Sequence, residues 1–303
     1  MFATILGRLP RPPISRGAAP EAAIEIAVRA QEAAGLEPIT DGGLMWASLD
    51  DPFVNGQPPR HVVAWQALSK QTDSATKATL PGPYSLAWRL GLDPNDRHAF
   101  IRKGLRSFRA ELRALAEAGC RLIEIEESEA HRIGEDPMER AVFHEAHAAL
   151  TDGMTGTHLS LTIVGGNADR AGIETIVAPG YASLAVDLIA GPDNWRLVAR
   201  APATCGIVAG AMASAEHGDE GPETILFAAR YAASTQARGI ARVGVAVVPG
   251  LEDLEWDVAV RKLQAIGRAA RLAELPPGDE LADAVDPRSI DSRTAAMGRR
   301  RRR

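Results

Sequence analysis

Two adjacent carboxylates, Glu126 and Glu127, end the run Leu-Ile-Glu-Ile-Glu-Glu, and successive residues of a strand point to opposite faces. Only one of them can face a shared interior, so the chemistry on offer is a single acid or base that binds or deprotonates a substrate. Arg8 and Arg11 flank Pro10, and a guanidinium fork suits a carboxylate or phosphate, although arginines paired with nearby surface acids are as common. Asp41, in Ile-Thr-Asp-Gly, either orients a ligand or caps the turn its glycine allows. Trp46 and Trp88 offer faces for a flat ring such as a pterin, with packing as their plainer role. His144 and His147, with Glu145 between them, have the helical i, i+3 spacing of a metal pair. No third ligand accompanies them, and an outer-helix position predicts solvated or partner-facing histidines. His131 and His217 fall on loops and are candidate acids or bases.

Positioning these groups requires a scaffold, and the chain alternates short β-rich runs with longer amphipathic ones. Eight runs read as strands: Ala3 to Leu6, Pro38 to Asp41, Lys77 to Leu80, Arg121 to Glu126, Thr157 to Val164, Ser183 to Leu188, Cys205 to Ala209 and Arg242 to Val248. Helical spacing is clearest at Glu21 to Ala34, Asp96 to Ala118, Pro137 to Leu150, Pro222 to Ala237 and Asp253 to Leu275. Eight β-α units predict a (β/α)8 TIM barrel over residues 1–276, with its active site at the C-terminal strand ends. An open dinucleotide-binding sheet would carry Gly-x-Gly-x-x-Gly after its first strand, and neither that fingerprint nor a Walker motif is present. Asp50 to Pro59 reads as a long loop on the active face. Residues 277–303 read as a disordered polar tail ending in five arginines.

Composition narrows the function. The 303 residues are 46% hydrophobic and carry a net charge of −5, yet the arginine run holds +5 of it and leaves −10 on the rest. An acidic body lacks the cationic face that nucleic acid requires, so a small-molecule ligand is expected, with a protein partner or homo-oligomer as a further option. Two distant cysteines, Cys120 and Cys205, make no disulfide framework, and neither a signal peptide nor a long apolar span is visible. A soluble cytoplasmic protein is the expectation.

Several strand ends together resemble the catalytic domain of cobalamin-independent methionine synthase. They are Thr4 to Pro12 (Thr-Ile-Leu-Gly-Arg-Leu-Pro-Arg-Pro), Gln31 to Gly43 with its Thr-Asp-Gly-Gly, Leu80 to Ala87 (Leu-Pro-Gly-Pro-Tyr-Ser-Leu-Ala) and Ile123 to Glu127, with Lys262 to Leu272 near the end. The order and spacing of these motifs run across nearly the whole chain. The resemblance implies a barrel related to uroporphyrinogen decarboxylase and transfer of a methyl group from a folate-type donor to a thiol activated by zinc.

Position by position, the resemblance also implies loss. Aligning Gly166-Asn167 with the family's Gly-Asn puts Thr162 and Val164 where it has the zinc His and Cys, Asp187 where it has a Glu, and Pro249 where it has the second Cys. An alternative register keeps His158 and places Ser160 at the cysteine. Neither register supplies a thiolate, so zinc is not expected, while a folate-type methyl donor stays open. Arg8 replaces a Ser and Gly43 replaces the Glu that contacts the substrate ammonium, which argues against homocysteine. Glu126 matches the family's amino-contacting Asp. The expectation is a catalytic Glu126 and Asp187, with Arg8, Arg11, Asp41, Trp88 and Glu127 binding substrate. The reaction class is methyl or other one-carbon-group transfer; the alternatives are a non-catalytic metabolite-binding barrel or complex subunit, and decarboxylation of an anionic substrate.

Overall fold

The computed structural model describes residues 1–13, 17–54, 59–177, 180–215, 221–276 and 278–285. The chain runs through β1 (Phe2–Ile5), α1 (Pro20–Ala34), α2 (Asp51–Val54), α3 (His61–Ser69), β2 (Lys77–Pro81), α4 (Pro83–Arg89), α5 (Pro94–Glu117) and β3 (Leu122–Glu127). It continues through α6 (Pro137–Thr151), β4 (His158–Ile163), α7 (Ile173–Val177), β5 (Ser183–Asp187), α8 (Trp195–Arg200), β6 (Gly206–Met212), α9 (Pro222–Ser234), β7 (Val243–Val247), α10 (Trp256–Leu272) and α11 (Asp279–Val285). The strands form one curled, all-parallel sheet in the order β1-β7-β6-β5-β4-β3-β2.

Seven of the eight expected strands form, within a residue or two of their expected ends except at the C-terminal end of β6. The remaining one, Pro38 to Asp41, is reduced to a single bridge between Ile39 and Thr76. It still spans the gap between β1 and β2: Glu37 N donates to Ala3 O (2.9 Å), Ile39 N to Ala75 O (2.8 Å) and Lys77 N to Ile39 O (3.0 Å). Pro38 has no N–H to give to a ladder. At Thr40 the side chain of Gln31 stands in for a neighbouring strand, with Nε2 donating to Thr40 O (2.8 Å) and Oε1 accepting from Thr40 N (3.0 Å). Buried backbone groups there are satisfied by an amide side chain in place of sheet pairing.

Alternation sorts the strand residues into two cores. Outward residues such as Ile207, Ala209, Val243 and Val245 join the large cluster beneath the helices, whereas Leu6, Val164, Ala185, Val208 and Ala246 form a small cluster on the inward face. The five expected helices all form, and α10 buries Leu263, Ile266 and Ala270 while packing on α1, β1 and β7. Helix α5 begins two residues before the periodicity indicates, because Asp93 caps it, accepting from Asn95 N and Asp96 N at 3.0 Å each, and Pro94 suits its first turn. The expected loop at 50–59 contains α2, and the expected tail contains α11; residues 55–58, 277 and 286–303 lie outside the described residues. Cys120 and Cys205 are buried free thiols, each pushed up to about 11 by burial, which keeps them protonated and inert.

Candidate functional site

Lys77 and Thr79 on β2 and Glu124 and Glu126 on β3 share the inward face. Lys77 Nζ donates to Glu124 Oε2 and to Ile5 O, both at 2.8 Å, and Thr79 Oγ1 donates to Glu124 Oε1 at 3.3 Å. Lys77 of this buried pair floors a cavity of about 90 Å3 at the C-terminal strand ends, among Asp41, Trp46, His61, Glu126, Pro249 and Glu252. A shallower hollow of about 560 Å3 adjoins it over Arg11, Leu44 and Met45, and the two share Arg8, Trp46 and Glu252.

Glu126 enters this cavity from the last turn of the ladder. Its Oε2 is buried with no hydrogen-bond partner, and so is Oγ1 of Thr162, its register partner on β4. Burial first, and the charge of Glu124 second, push the Glu126 carboxyl from 4.5 up to about 7. Asp41 is likewise raised, chiefly by burial, and its Oδ1 accepts from Gly43 N at 3.0 Å, so it caps the turn and lines the cavity at once. Among the described residues Trp46 Nε1 and His61 Nε2 are also buried without partners. His61 Nδ1 stands 3.4 Å from Glu111 Oε1, and the same carboxylate accepts from Arg60 N (2.7 Å) and His61 N (2.9 Å) at the start of α3. The cavity thus collects a carboxyl oxygen of Glu126, the Nε2 of His61 and the indole N–H of Trp46, each left without a partner.

The expected anion clamp is otherwise engaged. Arg8 gives Nη1 to Ala47 O (2.7 Å) and Nη2 to Gly43 O and Trp46 O (2.8 Å each), with Nε a further 3.3 Å from Gly43 O. Arg11 Nη2 donates to Leu44 O at 3.3 Å. Both guanidinium groups therefore pin the 43–47 loop. Gly43, at φ +65°, leaves room for this: a Cβ there would lie 2.8 Å from Arg8 Cγ and Nε.

The other candidates do not join the cavity. Glu127 points outward and is buried, accepting from Tyr84 N (3.2 Å), Ser85 N (2.7 Å) and Ser85 Oγ (2.5 Å) at the start of α4 and facing His147 Nε2 at 2.8 Å. His147, expected to be solvated, is fully buried and also bonds Tyr181 Oη at 2.6 Å, since α6 turns that face onto the sheet; His144 is half-buried and Glu145 exposed. Trp88 lies under Arg97, whose Cζ is 3.6 Å from its ring centroid, and does not line the cavity. Asp187 spends Oδ1 on Ile189 N (2.8 Å) and Ala190 N (2.9 Å), a turn cap after β5. His131 Nδ1 lies 3.2 Å from Ser128 O, and His217 falls outside the described residues.

Thr162 and Val164 stand at the C-terminal end of β4, whereas His158 is its first residue and, with Ser160, lines a cavity at the opposite end of the sheet. The alternative register therefore puts its histidine at the wrong end. Among the described residues no three His, Cys, Asp or Glu side chains converge as a metal-binding group, and threonine, valine and proline at the corresponding positions do not fit a thiolate zinc. His61, Lys77, Trp65 and Glu252 were not legible as cavity residues. Only Lys77 left a signal, a charge heading an apolar run in phase with the inward positions.

Similarity in fold is clear where similarity in sequence is not. No family model matches the chain, and no curated protein matches it. A B12-independent methionine synthase from Shewanella sp. W3-18-1, solved with selenomethionine, superposes with a TM-score of 0.74 at 14% identity, covering 89% of this chain and 96% of that one. A candidate vitamin-B12-independent methionine synthase from Listeria monocytogenes gives 0.68 at 16% identity over 89% and 97%. A methyltransferase from Methanosarcina mazei gives 0.54 at 15% identity over 87% and 93%. The chain thus has the fold of methionine synthase-like and methyltransferase proteins.

Proposed function

We propose that the chain is a small-molecule enzyme on a methionine synthase-like barrel, completed to eight β-α units by residues 37–40, that uses Glu126 for proton exchange without thiolate-bound zinc. The carrying observation is the unpartnered, buried Glu126 oxygen at a cavity wall, in a carboxyl raised to about 7. Such a group holds or accepts a proton at neutral pH, as acid–base catalysis requires.

One-carbon-group transfer suits this arrangement. A nucleophile forms a bond to the donor's carbon, the carbon–nitrogen bond of a folate-type donor breaks, and its electron pair stays on nitrogen, which takes the Glu126 proton. The inner cavity accommodates the reacting carbon, and the outer hollow beside Trp46 accommodates the donor ring. In this reading Asp41 orients the ligand, while Asp187 and Glu127 hold the strand ends in place. The acidic lining disfavours decarboxylation of an anionic substrate, because Arg8, the guanidinium at the inner cavity, is committed to carbonyls. Two buried thiols without a disulfide suit a reducing cytoplasm.

Thermal-shift titration with folates, homocysteine and small di- and tricarboxylates, followed by a methyl-transfer assay with each binder, tests the proposal. A stabilising folate and turnover lost in Glu126→Gln are expected. Binding without turnover would point instead to a metabolite-binding barrel or a subunit of a methyl-transfer complex, a reading favoured by the Arg8 side chain filling the space above Gly43. Stoichiometric zinc in protein purified without chelators, released in Asp187→Ala, would overturn the zinc-free mechanism.

A further inference from the structure

A second cavity, of about 750 Å3, opens at the N-terminal end of the strands. That volume lies in the range of small-molecule sites, and it is far larger than the inner cavity at the other end. Barrels ordinarily fill this end with layers of branched side chains. Here Gly206, Ala182, Ser160 and Ser183 occupy lining positions, and the Phe2 ring lies over Gly244, where a Cβ would come within 2.3 Å of it. Small residues on β4, β5 and β6 leave the interior open, and Phe2, Trp65, Leu122 and Val208 give it apolar walls.

Charge at this end is arranged unlike charge at the other. The deep acid, Glu124, is paired with Lys77, and Glu37 Oε1 accepts from Ala75 N at 2.8 Å. Arg121 and Arg242 are exposed at the rim; Arg242 gives Nη1 to Thr204 O, and Arg121 has no side-chain partner among the described residues. His158 Nε2 meets Ser183 Oγ at 2.8 Å between rim and floor. An apolar chamber with the Arg121 guanidinium and the remaining donors of Arg242 at its entrance selects an apolar body carrying an anionic head.

We infer that this N-terminal cavity binds an apolar carboxylate, its aromatic or branched body among Phe2, Trp65, Leu122 and Val208 and its carboxylate at Arg121 and Arg242. The site lies at the opposite strand ends from the proposed catalytic mouth, with Lys77 and Trp65 lining both cavities. Isothermal titration of the full chain with 2-naphthoate and with the neutral 2-naphthamide tests it. One naphthoate per chain is expected, with affinity about tenfold weaker in the double variant Arg121→Ala/Arg242→Ala while naphthamide binding is unchanged. Filling the entrance at an exposed position, with Ala182→Trp or, should that variant misfold by circular dichroism, Thr204→Trp, weakens both ligands. No naphthoate binding, equal binding to a folded filled-entrance variant, or equal affinity for the two ligands would each overturn the assignment.

Discussion

Replacing Glu126 by glutamine keeps the shape of the side chain and removes its titration, so it isolates the term on which the proposed chemistry depends. The wild-type carboxyl has an ordinary value of 4.5 when unfolded and about 7 when folded. Between those values the folded state binds more protons than the unfolded state, so stability falls as pH rises through this window and levels off above it. The interval, at about 1.36 kcal/mol per pH unit, amounts to about 3 kcal/mol. Part of that is already spent at pH 5, which leaves about 2 to 3 kcal/mol between pH 5 and pH 8. Urea unfolding of both proteins at the two pH values measures it, through the change in the variant's stability relative to wild type. Glutamine should gain on wild type by that amount on going to pH 8. A difference between the two pH values below about 0.5 kcal/mol would refute the argument, because it would mean that solvent reaches the carboxyl and that its proton affinity is ordinary.

Three further perturbations probe the frame around it. Arg8→Ser and Gly43→Glu should couple in a double-mutant cycle: glutamate at 43 meets the Arg8 side chain in wild type but finds space in Arg8→Ser, and urea melts should give a coupling of about 1 kcal/mol or more. Glu127→Ala leaves buried donors of Tyr84 and Ser85 without an acceptor and should cost about 3 kcal/mol in the same assay. Lys77→Met strands Glu124 and should cost about 3 to 5 kcal/mol, most of it recovered in Lys77→Met/Glu124→Leu, as seen in melting midpoints.

The repeat of strands and helices was legible because both have strong periods and long apolar runs. The segment Pro38 to Asp41 reads as a strand for the same reason, yet its pairing depends on what lies opposite, and Gln31 on α1 was invisible as a stand-in for a strand. Parity put one of Glu126 and Glu127 inward, and the register shows which. His147 shows the limit of reading a spacing without its packing. The i, i+3 pattern was correct, but which face of α6 is buried depends on Glu127 and Tyr181, which lie 20 and 34 residues away in sequence.

Arg8, Gly43 and Pro249 look in the sequence like three independent departures from the pattern the chain resembles, and in space they fall, with Gly7, into two packed pairs. Arg8 occupies the volume a side chain at 43 would need, and its guanidinium ties the loop that carries Trp46. Gly7, at φ +78°, sits so close to Pro249 that a Cβ would lie 2.9 Å from the proline ring, so Pro249 is packed against the first strand end. Drift that merely abolished a site would leave voids and unpaired groups, which are costly in a close-packed interior. Here the altered residues fill one another's space, while unpartnered polar atoms of Trp46, His61 and Glu126 line the adjoining cavity. Polar atoms kept buried and unsatisfied at a cavity wall beside such careful packing support the proposal that a ligand completes the site.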